Sequence, residues 1–385
     1  MKCAIIAPGF TGATLPLAQH LSEMGHEVVC YYLSETGGKM IESLDFDSPL
    51  TIRKLIINIS QSNSLYNYLN RNIKVSIVPV FRRRRTLSKV LIGKIPAIIN
   101  YYRIQKFCRY VESQQYDAVN IVYHNEITLQ ICQFFDKHNI PYCKSYHEVV
   151  ENLINPQKRI DIEESLKSNR PIIVHSQKTR NDLVNYYHVN NDDERLHVIY
   201  FGPFESYWQY GEGHLTQNVG KDYILFLGRI TYYKGLKNLY SAVVKTKEDE
   251  VRIVVAGKGT DPILDKIRKN SHYYLVNRFI GNEELVYLIK NCKAVVCPYL
   301  AASQSGLVQT AFAFRKPVIA TNVGAFSEFV CNYKNGFIVE PNDSDALASA
   351  ISEVLKADFE VQIPESLDWG NICKKYLNIF KTLKQ

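Results

Sequence analysis

Short apolar runs recur along this chain at intervals too wide for hairpins, and they are nearly unbroken. The second half contains "YILFLG" (223–228), "VRIVVAG" (251–257), "YYLVNRFIG" (273–281), "AVVCPYL" (294–300), "PVIATN" (317–322) and "GFIVE" (336–340). A strand with one face in water alternates apolar and polar residues, and these do not. They read as parallel strands covered on both faces, joined by helical crossovers whose patterns fill the intervals. The first half repeats the logic. "KCAIIAP" reads as a strand, "GFTG" as a turn, "ATLPLAQHLSEMGH" as a helix stopped by Gly25, and "EVVCYYL" as a second strand. "KVSIVPV", "DAVNIVYH", "IPYCKSYH" and "RPIIVHS" follow as further strands. The expected class is α/β, with two doubly wound parallel sheets facing each other across a cleft lined by the C-terminal ends of their strands.

At 385 residues the chain is too long for one ordinary core, so two domains of roughly 150–200 residues are expected. The stretch 203–220, rich in Gly, Tyr, Gln and Asn and without a period, is the natural linker. That gives an N-terminal domain over 1–202 and a C-terminal domain over 221–365. A final helix over 366–385 is expected to pack back on the first domain.

No secretory signal is expected from "MKCAIIAPGF", whose apolar run breaks at Pro8-Gly9, and no apolar stretch reaches the ~18 residues of a spanning helix. Nine scattered cysteines without a C-x-x-C pair read as free thiols of a reducing cytosol. The net charge of +8 is unevenly placed: residues 51–110 hold thirteen Lys and Arg and no Asp or Glu, while the rest carries 33 basic against 38 acidic groups. A solvated basic face, a nucleic-acid surface and a contact with an anionic membrane or phosphate-bearing lipid all fit that block. No nucleic-acid module surrounds it. "KVLIGKIPAIINYYRIQKFCRY", mixing Ile, Tyr and Phe with Lys and Arg, resembles an interfacial helix, and Arg82, Arg83, Arg84 and Arg85 are the expected membrane contact.

"GRITYYKG" follows the first strand of the C-terminal half. In a parallel sheet the loop after a strand lies at the ligand-binding rim. Gly228 permits a sharp exit, Arg229 offers a planar fork suited to phosphate, and Lys234 adds a point charge before the next helix. Two cations beside a helix start make an anion site, though solvated loop cations would look the same. In "SQSGLVQTAFAF", Ser303 or Ser305 can cap a helix whose first turn includes Gly306 and Leu307.

The order of these motifs resembles the retaining glycosyltransferases of family 4, which have the GT-B fold of two Rossmann-like domains. "FLGRITYYKG" is similar to the family's G-R-x4-K-G signature, and "VNRFIGNEELVYLIKNCKAVVCPYL" to its next strand, helix and strand. "GLVQTAFAFRKPVIATNVGAFSEFVCNYKNGFIVEPND" follows the family's G-L-V through N-G-F-I-V sequence. The N-terminal "PGFTG" and the final "DWGNICKKYLNIFKTL" also fit, and 51–110 matches least. The resemblance implies that Arg229 and Lys234 hold the diphosphate of a nucleotide sugar and stabilise it as it leaves. Gly228, Ser305, Gly306 and Leu307 would help, and Arg278, Phe279 and Ile280 would surround the base. It further implies His147 near sugar and acceptor, no protein nucleophile, no cofactor and no metal. Both of the family's glutamates are absent. Their places fall on Ala302 and Thr310, or on Ser303 and Ala311, depending on the anchor. Gln309 and Thr310 are the candidates to replace the ribose contact.

"DFD" at 45–47 is formally a metal-binding D-x-D, but it sits in what reads as a polar loop. Gly9, Phe10, Thr11 and Gly12 lack the third glycine of a dinucleotide fingerprint and are expected nearer the acceptor or sugar. "AGKGT" (256–260) reads as a turn ending a strand. The expectation is therefore a cytoplasmic enzyme, peripheral on the inner face of the cytoplasmic membrane. It would move a sugar from a nucleotide diphosphate donor, UDP favoured, to a lipid-linked or polysaccharide acceptor of a bacterial surface glycan, and would bind no nucleic acid. A non-catalytic nucleotide-sugar-binding protein is the alternative.

Overall fold

The computed structural model describes residues 1–8, 11–35, 73–80, 94–123, 125–150, 156–211, 213, 219–246, 251–356 and 360–383. The chain forms two compact units. One comprises Met1–Phe201 with Trp369–Gln385, the other Gly202–Asp368. The "DFD" motif, Gly9, Phe10 and Arg82 to Arg85 lie outside the described residues.

The first unit runs β1 (Lys2–Ala7), α1 (Thr11–Glu23), β2 (Glu27–Glu35), β3 (Ile73–Val80), α2 (Lys94–Ser113), β4 (Ala118–Val122) and α3 (Glu126–Lys137). It continues with β5 (Tyr142–Tyr146), α4 (Pro156–Leu166), β6 (Ile172–Val174), α5 (Gln177–Tyr187) and β7 (Leu196–Val198). Its seven strands are ordered β3-β2-β1-β4-β5-β6-β7, and every pairing is parallel. The helices start where local chemistry allows. Asn125 Oδ1 accepts from the backbone N–H groups of Ile127 and Thr128, each at 3.0 Å, and so opens α3.

The second unit contains β8 (Tyr223–Leu227), α6 (Leu236–Lys245), β9 (Ile253–Ala256), α7 (Leu264–Ile267), β10 (Tyr273–Val276), α8 (Asn282–Asn291) and β11 (Cys292–Cys297). After these come α9 (Gly306–Ala313), β12 (Val318–Thr321), α10 (Phe326–Phe329), β13 (Gly336–Val339) and α11 (Ser344–Lys356). Its parallel sheet has the order β10-β9-β8-β11-β12-β13. All of β8, β9 and β12 is buried, which is why these segments show no polar alternation. The strand order reverses between β8 and β11, and the loops leaving those two strands therefore flank the crevice where such sheets bind ligands.

The last helix, α12 (Trp369–Thr382), belongs to the first unit. Trp369, Ile372, Cys373, Tyr376 and Phe380 recur at helical spacing and join one core with Leu15, Leu17, Ala18 and Leu21 of α1. Trp369 stacks on His20 with ring centroids 5.8 Å apart. The segment 203–220 is no bare connector. Glu205–Gln209 form a 3-10 turn, the Phe204 N–H donates to the Gln309 carbonyl at 3.1 Å, and Trp208 Nε1 donates to the Ala313 carbonyl at 2.9 Å.

Because Phe380 is fully buried in the first unit's core, Phe380→Ala is expected to cost ~3–5 kcal/mol. Denaturant unfolding followed by circular dichroism reads this as a lower midpoint for that unit's transition, while saturating changes on the exposed Lys374 leave it in place.

Candidate active site

Within the second unit, a cavity of about 570 Å³ opens at the C-terminal ends of β8 and β9. Its wall comprises Leu227, Gly228, Arg229, Ile230 and Thr231 after β8, Gly257 to Thr260 after β9, and Phe279, Ile280 and Leu285. One side is thus backbone, hydroxyl and cation, and the other is apolar. No Asp or Glu among the described residues lines it.

The two loops are stitched together. The Gly228 N–H donates to the Ala256 carbonyl at 2.9 Å, Ile230 N–H to the Lys258 carbonyl at 3.1 Å, and Thr260 N–H to the Ile230 carbonyl at 3.2 Å. Gly257 takes φ +145°, and a Cβ there would lie 1.8 Å from the Gly228 carbonyl oxygen. Only glycine lets these backbones approach so closely. Arg229 is exposed and forms no ion pair among the described residues. The Thr231 hydroxyl is buried without a hydrogen-bond partner, a polar atom left ready for a ligand.

Lys234 closes a 3-10 turn (Tyr232–Lys234). Its ammonium lies over the Tyr299 ring, 3.6 Å from the centroid, and 5.3 Å from that of Tyr233. The geometry is a cation–π contact of ~0.5–2 kcal/mol. Burial lowers the Lys234 pKa; the Arg229 charge adds to this, and Cys297 opposes it. Tyr299 is buried, and its phenol interacts with the Ser305 side chain. Ser305 caps α9, whose first turn holds Gly306 and Leu307. One ring therefore connects Lys234 to the start of α9. Gly235, at φ +69°, follows directly, and a Cβ there would sit 1.7 Å from the Pro298 carbonyl oxygen.

The residues expected to hold the base divide. Phe279 and Ile280 line the cavity, Phe279 with 69% exposure. Arg278 does not line it: its guanidinium is bound in fork fashion by Glu284, at 2.7 and 2.5 Å. That pair keeps the Glu284 carboxyl below its usual range and secures the loop bearing Phe279. Gln309 and Thr310 are buried in α9, and the Thr310 hydroxyl donates to the Gly306 carbonyl at 2.7 Å. Sequence reasoning missed Lys258 and Thr231. The signal was a cation between glycines directly after a strand, the same arrangement as "LGR".

In the first unit, half-buried His147 directly follows β5. Its ring lies 5.6 Å from that of Phe201, and burial pushes its pKa down to about 4. Gly12 opens α1 beside Thr11. His175, which the sequence did not single out, is fully buried and stacks on Phe201 at 3.7 Å. Its Nδ1 is 2.8 Å from the Ile199 carbonyl, so Nδ1 carries the proton. Burial outweighs that bond and drives its pKa from 6.5 to about 3.

Residues 213–374 match the family described as glycosyl transferases group 1. An uncharacterised glycosyltransferase of Methanocaldococcus jannaschii is 27% identical over 216 residues, covering 50% of this chain and 55% of that protein. O-antigen chain mannosyltransferase C of Escherichia coli is 28% identical over 149 residues, 37% of this chain and 39% of that protein. The chain thus spans about half or less of the length of these curated relatives. The solved structure of Anabaena HepE in complex with UDP superposes with a TM-score of 0.58 at 15% identity, covering 100% of this chain and 98% of that one. The fold is GT-B. Most of the segment that matches the group 1 model lies in its C-terminal Rossmann-like domain.

Two outcomes follow from this geometry. Gly235→Ala forces a Cβ into the Pro298 carbonyl and a strained φ, so the melting temperature should fall by several degrees, as ~1–3 kcal/mol of strain implies. For His175 the folded pKa lies below the unfolded one. The unfolded chain therefore binds the extra proton, and stability is lost as pH falls from about 6.5, by up to ~1.4 kcal/mol per pH unit. Urea titrations between pH 7 and 4 should show a shallower decline for His175→Gln than for the wild type.

Proposed function

We propose that this protein is a retaining, metal-independent glycosyltransferase that uses a nucleotide diphosphate sugar, UDP-linked by preference. The observation carrying this reading is a cavity at the C-terminal ends of β8 and β9, lined by no carboxylate among the described residues, with Arg229 in no ion pair among them and the Thr231 hydroxyl unsatisfied. It lies within the segment matching group 1 glycosyltransferases.

An anionic diphosphate is the ligand such a wall suits. Arg229 would bind its oxygens in fork fashion, Thr231 would donate one hydrogen bond, and the apolar side with Phe279 and Ile280 would take the base. As the bond from the sugar's anomeric carbon to the phosphate oxygen breaks, negative charge gathers on that oxygen, and a fixed cation is worth most there. In a front-face displacement the departing oxygen can accept the acceptor hydroxyl's proton, so no protein nucleophile is needed. The positive charge otherwise supplied by a divalent ion would come from Arg229 in the cavity wall, with the Lys234 ammonium on the Tyr299 ring adding to it from outside the wall. His147, neutral at physiological pH, would be a hydrogen-bonding partner for sugar or acceptor.

The proposed acceptor is a lipid-linked or polysaccharide chain of a bacterial surface glycan, in keeping with the O-antigen mannosyltransferase among the relatives. No helix among the described residues is long and apolar enough to cross a membrane. The proposed location is peripheral, on the inner face of the cytoplasmic membrane, held there by the basic segment 51–110. On α2, exposed Tyr101, Tyr102, Lys106 and Arg109 supply the aromatic and cationic side chains suited to an anionic surface.

Thermal-shift screening of nucleotide sugars identifies the donor, and transfer to a lipid extract is then measured. Arg229→Ala should lower transfer by ~10²–10³-fold and weaken donor binding. Saturable donor binding with no turnover on any acceptor extract would instead make the protein a nucleotide-sugar-binding scaffold.

A further inference from the structure

We infer that Lys258 is a donor-binding residue, a second cation of the cavity that grips the phosphates of the nucleotide beside Arg229. This rests on the nucleotide-sugar reading of the site and deepens it. Lys258 lines the same cavity as Arg229, whereas Lys234 does not; the Lys234 ammonium is engaged on the Tyr299 ring.

The backbone under Lys258 is held from both sides. Its carbonyl accepts from Ile230 N–H at 3.1 Å, and the flanking Gly257 N–H donates to the Val276 carbonyl at 3.0 Å. Gly259 N–H donates to Asn277 Oδ1 at 3.1 Å, and Gly259 forms a parallel bridge with Ile230. The Lys258 Cα is thus fixed relative to the loop of Arg229, while its side chain is exposed and forms no ion pair among the described residues.

Surface lysines in solvent are common, but the surroundings of this one are not neutral ground. Arg278, the next cation along the rim, is neutralised by Glu284. Among the described residues, the cavity wall offers Arg229 and Lys258 no such partner. Two like charges held at one wall repel, and the arrangement becomes favourable once an anion with at least two charges lies between them. A nucleoside diphosphate meets that requirement better than a monophosphate, and an uncharged nucleoside does not meet it at all.

Isothermal titration of the full chain with uridine, UMP and UDP, and with the guanosine series, tests this. For the base that binds, Lys258→Ala should raise the dissociation constant of the diphosphate by about tenfold and leave that of the nucleoside unchanged. Lys258→Arg should restore most of the affinity. Wild-type affinity for the diphosphate in Lys258→Ala would overturn the inference, as would an equal loss for nucleoside and diphosphate. A wild-type chain that binds neither UDP nor GDP would overturn the donor reading and this inference together, so the two failures are distinguishable.

Discussion

The close approach of backbone to backbone at the end of the C-terminal sheet is the constraint from which the candidate site follows. Gly257 meets the Gly228 carbonyl and Gly235 meets the Pro298 carbonyl at separations that leave no room for a Cβ. The first contact draws the loops after β8 and β9 into one wall of the cavity, and the second holds Gly235 against the chain leaving β11. The first of them sets Lys258 beside the loop that carries Arg229 and Thr231. Burying β8 and β9 on both faces supplies the rigid base from which these loops depart.

Much of this architecture was legible because buried parallel strands leave an unambiguous trace. β8, β9 and β12 are wholly buried, and their sequences are apolar without a break. The amphipathic spacing of α12 was equally plain. Side-chain destinations were less legible. Arg229 and Lys234 read as a pair, yet Lys234 turns to a ring supplied just beyond β11, a contact that depends on tertiary packing. Arg278 read as a base-pocket residue, but Glu284, six positions on and in the first turn of α8, captures it. "AGKGT" read as a turn because a lone lysine between glycines has no periodicity to betray it. The bridge to Ile230 is what turns that segment into a wall of the cavity.

The two histidines of the first unit show a related limit. "RPIIVHS" and "IPYCKSYH" each end on a histidine after an apolar run, and only His147 attracted notice. In the structure both rings pack against Phe201, and burial holds both neutral near pH 7. A neutral histidine can donate from one nitrogen and accept at the other, a capacity the charged form lacks. Sequence spacing cannot give this, because Phe201 arrives from beyond β7.

The choice of partner for Lys234 also bears on how the site keeps its charge. A half-buried ammonium must be compensated, and a carboxylate is the usual means. A carboxylate here would cancel the positive potential that an anionic ligand requires. The Tyr299 ring offsets part of the desolvation through its quadrupole while leaving the net charge intact. The residues just before α9 and at its start, Ala302, Ser303, Ser305 and Gly306, likewise bring no carboxylate. Thr310 spends its hydroxyl on the Gly306 carbonyl.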